Sequence, residues 1–212
     1  MRGPAEVRAY FVIGPAGSGK SSVALLLAKL TGAAHLDKDT ACTRLTEALL
    51  KAAGTDPDDR DGNAYYLSTV RELEYLTLLD LARDNLAVGR SVVLDAPFGS
   101  YFANPDFLAI TVKSHGWPDG VEPVVVHVRV DSDTAQQRVR ARGLARDASK
   151  LADWPAFWAK SQANACRWEG ARRLEFDNSA DGLTEETVRR ALALTSAAVP
   201  PRTPSSPPPP PA

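Results

Sequence analysis

The run Gly14-Pro15-Ala16-Gly17-Ser18-Gly19-Lys20-Ser21 has the form Gly-x-x-x-x-Gly-Lys-Ser, a spacing that wraps a chain around the phosphates of a nucleoside triphosphate. Glycines let backbone N–H groups turn inward around phosphate oxygens, and a helix starting near Lys20 adds the partial positive charge of its N-terminus. Lys20 is expected on the β and γ phosphates and the Ser21 hydroxyl on Mg²⁺. Gly14, Ala16, Gly17, Ser18, Gly19 and Ser22 complete the expected phosphate-binding set.

Acidic residues follow at two further places. Asp37-Lys38-Asp39 puts two carboxylates just past an apolar run, one suited to Mg²⁺ and the other to a substrate hydroxyl, although Asp39 would also serve to cap a helix from Thr40. Asp95 ends the run Val92-Val93-Leu94, the placement of a metal-binding acid at a strand tip beside the phosphate loop. After it, Pro97, Phe98, Tyr101 and Phe102 read either as walls of a substrate pocket or as packing. Asp39, Arg71, Phe98 and Tyr101 are the expected acceptor contacts. Arg138, Arg142 and Arg146 recur every four residues, and arginines on a closing segment neutralise charge on a migrating phosphoryl group.

These groups need elements to hold them. Val7–Ile13 reads as a buried strand and Lys20–Leu30 as a helix, so strand, glycine loop and helix occur in the required order. Ala33–Leu36 is a second strand and Thr40–Ala53 a helix; Gly54–Asn63 is a loop, and a long helix spans Ala64–Val88 and ends at Gly89. Ser91–Leu94 is a third strand, Pro105–His115 a helix, and the valines of Val124–Val130 a strand covered on both faces. A helix capped around Asp131 runs to Arg142, residues 143–153 read as mobile, and a helix spans Trp154–Trp168 with Trp154, Trp158, Ser161, Ala165 and Trp168 on one packing stripe. Leu174–Phe176 is a last strand, and Thr184 caps a final helix. Alternating strands and helices predict a three-layer α/β fold with right-handed crossovers.

Residues 200–212 are mostly proline and read as a disordered tail beyond a domain of residues 1–199. A formal net charge of -1 over 212 residues argues against a nucleic-acid groove or a polybasic membrane surface. Cys42 and Cys166 make no disulfide framework or zinc set, and the first strand begins too early to leave room for a signal peptide. A cytoplasmic protein, monomer or homodimer, is the expectation.

On these residues the chain resembles the small P-loop kinases grouped with gluconate kinase, shikimate kinase and zeta-toxin-like enzymes. The resemblance covers roughly residues 7–196, with the phosphate loop its most specific part. It implies a five-stranded parallel sheet of order 2-3-1-4-5, ATP and Mg²⁺ as cofactors, and a lid over about 142–153. Asp37-x-Asp39 looks like the D-x-D of shikimate kinases, which implies Asp37 near Mg²⁺ and Asp39 on the substrate hydroxyl; Asp95 joins Ser21 and Asp37 as metal candidates. Arg138, Arg142 and Arg146 look like adenine-contacting and lid arginines, and Asn178 like the loop bordering adenine. Asp95-Ala96-Pro97-Phe98 stands where shikimate kinases carry a glycine-rich loop, and the histidine that gluconate kinases have after this acidic region is absent, so neither substrate is implied. The expected activity is ATP-dependent phosphoryl transfer to a hydroxyl of a small metabolite or natural product. A nucleotide-hydrolysing switch lacks an N-K-x-D guanine signature here, and a nucleic-acid 5′-end kinase fits the near-neutral charge poorly.

Overall fold

The computed structural model describes residues 6–179 and 183–197. Strand β1 (Arg8–Ile13) is buried from Ala9 onward, and its side chains go alternately to two layers. Ala9, Phe11 and Ile13 join one core cluster, while Tyr10 and Val12 join the other. A strand covered on both faces has no polar side to show, which is why it reads as one apolar run. Strands β2 (Ala34–Asp37), β3 (Val92–Asp95), β4 (Glu122–Arg129) and β5 (Arg172–Asp177) complete a sheet of order β2-β3-β1-β4-β5 with every neighbour parallel. That is the order the resemblance implied.

Helices α1 (Lys20–Thr31) and α8 (Glu185–Ala197) cover one face through Val23, Leu27 and Val188. On the other face lie α3 (Arg71–Ala87) and α4 (Phe107–Ser114), with α2 (Lys38–Ala52) packed beside α3. The expected long helix from Ala64 is interrupted at its start by a π-turn, Tyr66–Val70, before α3 begins. Helix α5 (Ser132–Arg142) is capped by Asp131, whose carboxylate accepts from the Thr134 N–H at 2.8 Å. Segment 143–153 holds a single turn and the short helix α6 (Ala148–Ala152). Thr184 caps α8 as expected, its hydroxyl accepting from the Thr187 N–H.

Two expectations fail. Helix α7 (Trp154–Ala163) stops before Trp168, so the tryptophan stripe does not form. The chain is drawn off instead by hydrogen bonds to the segment after β3: Asn164 Nδ2 donates to Gly99 O, Arg167 N to Phe102 O and Glu169 N to Pro105 O. Trp168 therefore enters the core beside Phe107, 4.5 Å between ring centres, while Trp154 and Trp158 stack near α5.

The second failure is Phe98, which is fully buried and does not line the crevice at the carboxyl edge of the sheet. Its ring meets Phe11, Tyr75 and Trp168 at 5.2–5.6 Å, contacts worth about 0.5–1.5 kcal/mol each beyond area burial. Reaching that slot puts Phe98 at φ 53, a left-handed conformation unusual for a bulky side chain, which its burial and the hydrogen bond from its N–H to Tyr75 Oη hold in place. Tyr101 likewise packs on this core, against Tyr75 and Phe107, and does not reach the crevice. The proline-rich segment 200–212 lies outside the described residues.

Candidate functional site

The carboxyl ends of β1, β2 and β3 open into one crevice of about 460 Å³. From β1 the chain passes into the glycine loop, which ends at α1. Gly17 and Gly19 have φ near 80°, and an added Cβ would strike the Ala135 carbonyl at the first and the Asn178 side-chain amide at the second. The loop is thus pressed between α5 and the end of β5. Helix α1 begins at Gly19 without a side-chain cap and without an acid in its first turn, which leaves its N–H groups to an outside acceptor.

Gly14, Ala16, Lys20 and Ser21 line the crevice; Gly17, Ser18, Gly19 and Ser22 lie outside its lining, Ser22 exposed on the first turn of α1. Lys20 folds back, its Nζ donating to Pro15 O at 2.8 Å. Enclosure by surrounding protein lowers its ammonium pKa to about 8, with Asp95 pulling the other way.

Asp37 and Asp95 are the last residues of adjacent parallel strands and pair in register, so their backbones sit roughly 4.8 Å apart. Asp95 is buried, and burial foremost, then the neighbouring Asp37, raise its carboxyl pKa against a favourable hydrogen bond with Ser21. Its Oδ2 is buried without a hydrogen-bond partner, 3.6 Å from His35 Nε2, which is also unpartnered. An unsatisfied carboxylate oxygen beside a serine hydroxyl and a second carboxylate is a hard oxygen donor set of the kind Mg²⁺ takes, with phosphates and water completing it.

Helix α2 starts at Lys38, two residues earlier than expected. Asp37 rather than Asp39 is therefore its cap, accepting from the Thr40 N–H at 2.6 Å. Asp39 sits in the first turn and faces the crevice, with Lys38 Nζ at 3.3 Å and Arg60 at 3.6 Å.

Behind this wall lies a network that no local sequence signal marks. Glu74 of α3 is 2% exposed and accepts from Lys38 Nζ, from Thr46 Oγ1 at 2.7 Å and from Tyr66 Oη at 2.9 Å, with Arg60 at 3.7 Å. Lys38 and Arg60 thus join a buried carboxylate to the exposed one on Asp39.

Arg142 also lines the crevice and forms a two-point pair with Asp147 at 2.6 and 2.8 Å. Burial favours the neutral Asp147, but Arg142 and Lys150 outweigh it and hold the carboxyl below its usual range. Lys150 also reaches Asp61 at 3.0 Å, joining segment 142–153 to the loop after α2. The side chain of Arg146 lies outside what the structure describes. Arg138 stays apart from the crevice lining, donating to Asn178 O at 2.9 Å, while Asn178 Nδ2 donates to Ser18 O at 2.7 Å. Of the expected acceptor contacts, Asp39 and Arg71 line the crevice; Phe98 and Tyr101 do not, and Tyr66, Leu67, Phe102 and Phe157 stand there instead.

Residues 10–163 match the sequence model of an AAA domain family. No curated protein matches the chain. Among solved structures, it is similar to a sugar kinase from Janibacter sp., with 16% identity, 91% of this chain and 96% of that one covered, and a TM-score of 0.59. A shikimate kinase from Acinetobacter baumannii in complex with shikimate gives 18% identity, 92% and 95% coverage and a TM-score of 0.51. For a gluconokinase from Sinorhizobium meliloti the values are 17%, 93% and 95%, and 0.51. At such identities these likenesses show a common fold. Among the described residues no helix is long and apolar enough to cross a membrane.

Proposed function

The chain belongs to this AAA domain family, and on that premise we propose that it moves the γ-phosphoryl group of ATP, with Mg²⁺, to a hydroxyl of a small metabolite or natural product. One observation carries the proposal: the crevice is lined by Gly14, Lys20 and Ser21 of the phosphate loop and also by Tyr66, Leu67, Arg71, Phe102 and Phe157. A protein that only hydrolyses nucleotide needs the first set alone. The kinase names of the structural relatives agree with this reading.

In it, the loop N–H groups and Lys20 bind the triphosphate, and Ser21 with Asp95 and Asp37 would hold Mg²⁺, whose charge offsets that on the phosphate oxygens. Asp39 accepts the acceptor's hydroxyl proton, held toward it by Lys38 and Arg60. Segment 142–153 acts as a lid that brings Arg142 and Arg146 over the migrating group and excludes water. Arg138 and Asn178, on the far side of the loop, border the adenine. We place the protein in the cytoplasm as a monomer or homodimer, with a domain over residues 1–199 and a tail that takes no part in catalysis.

Lys20 supplies a pH test. Below about 8 its ammonium is charged in both the free and the nucleotide-bound protein, so affinity for ATP should not vary through this group. Bound phosphates raise its pKa, so above that point binding must take up a proton, and affinity should fall toward roughly tenfold per pH unit. Calorimetric titration with ATP from pH 6.5 to 9.5 measures this, and Lys20→Met should flatten the profile. A screen of hydroxylated metabolites for gain of one phosphoryl mass, with ATP and Mg²⁺, tests the activity. Products are expected with wild type and not with Lys20→Ala; equal yields from both would contradict the proposal.

A further inference from the structure

Lys38 and Asp39 are consecutive residues in the first turn of α2, and side chains one step apart on a helix do not face each other. Lys38 nevertheless turns back toward its neighbour: its Nζ lies 3.3 Å from Asp39 Oδ1 while donating to Glu74 of α3. Arg60, from the loop between α2 and the π-turn, repeats the arrangement, with Asp39 Oδ1 at 3.6 Å and Glu74 Oε1 at 3.7 Å. Each cation also lies over a tyrosine ring that lines the crevice, Lys38 over Tyr75 at 5.8 Å and Arg60 over Tyr66 at 5.9 Å. Two carboxylates and two cations thus form one cluster, buried at Glu74 and open to the crevice at Asp39. Apolar side chains of the same volume often hold a fold as well as a buried ion pair does, so stability alone does not account for this one.

From this we infer that Glu74 is a positioning residue for phosphoryl transfer: acting through Lys38 and Arg60, it sets where the Asp39 carboxylate stands in the crevice. The inference rests on the proposed role of Asp39 as base and deepens it. Both Glu74 oxygens are engaged, Oε1 by Thr46 and Arg60 and Oε2 by Lys38 and Tyr66, so the buried end of the cluster is held in one orientation. Three elements meet there: α2 through Lys38 and Thr46, the π-turn through Tyr66, and α3 through Glu74 itself. The two cations carry that geometry outward to Asp39. A reacting group displaced by about 1 Å can cost on the order of 10²-fold in rate, so loss of the anchor should be read in turnover more than in binding.

A double-mutant cycle on the full chain tests it, with ATP, Mg²⁺ and the acceptor that wild type phosphorylates best. Glu74→Gln keeps the side chain's shape and an accepting oxygen and removes its charge. It should lower kcat roughly 10- to 100-fold while KM for ATP and for the acceptor stays within about threefold, and Glu74→Asp should recover part of the rate. Made in Asp39→Asn protein, the same Glu74→Gln change should cost less than about twofold, because a base already removed cannot be misplaced. An equal loss of kcat in both backgrounds, or a loss confined to KM for ATP, overturns the inference and leaves Glu74 an anchor of the fold alone. Calorimetry checks that each variant is folded; where Glu74→Gln is not, the double variant Lys38→Met, Glu74→Leu takes its place in the cycle with the same expectations. Absence of transfer to any acceptor by folded, ATP-bound wild type would count against the proposed function itself, and the inference would fall with it.

Discussion

Asp39→Asn should lower turnover with an acceptor by about 10²- to 10⁴-fold, the usual contribution of a positioned general base. Size is kept and the ability to take a proton is lost. Folding should survive, because Asp37 caps α2 and the Asp39 side chain is 39% exposed. Lys38 and Arg60 retain Glu74 as partner, so the wall behind the crevice should hold its shape. ATP affinity should change little, since the glycine loop and Lys20 supply most of the phosphate contacts. Asp37→Asn should instead raise the Mg²⁺ concentration needed for half-maximal rate. Steady-state kinetics of both variants across a Mg²⁺ series checks the division of labour. Wild-type turnover by Asp39→Asn would pass the role of base to Asp37 or Asp95.

Glu74→Ala should be the most destabilising single change near the site, by about 3–5 kcal/mol, because it strips a buried ammonium of its closest counter-charge. Lys38 is only 5% exposed and of its two carboxylate neighbours would keep only Asp39, while Thr46 and Tyr66 lose a buried acceptor. For a chain of this size that is a fall in Tm of roughly 6–20 °C, readable by calorimetry. The double variant Lys38→Met, Glu74→Leu should recover much of the loss, since it removes both charges together. Its folding should return without its turnover, because Asp39 would have lost Lys38. A shift below about 1 kcal/mol in Glu74→Ala would show the network to be dispensable.

Legibility in the sequence followed distance along the chain. The glycine loop was plain, because its strand, turn and helix are contiguous and each glycine answers a local demand. Asp37, Asp39 and Asp95 were picked out by the rule that parallel strands present their carboxyl ends to ligands, and all three line one crevice at that edge of the sheet. The sheet order was not in the periodicity and came from the resemblance alone. Glu74 was invisible: on a helix of mixed polarity it reads as solvated, and its partners come from positions 38, 46, 60 and 66, which only tertiary packing brings together. Phe98 and Tyr101 were misplaced for a related reason. Aromatic residues after a strand suit a pocket wall or a core equally, and what decided between them was the pull of Phe11, Phe107 and Trp168 from distant elements.

The central claim is that ATP is cleaved in order to place phosphate on an acceptor. The fate of the γ-phosphate tests it most directly: with labelled ATP, Mg²⁺ and the best acceptor from the screen, label is counted on acceptor and in inorganic phosphate over the same time course. Nearly all label should appear on the acceptor, ATP consumption should rise at least tenfold over the acceptor-free rate, and both should vanish in Lys20→Ala. Release of inorganic phosphate at one rate with and without every acceptor would contradict the account and return the chain to the class of nucleotide-hydrolysing switches.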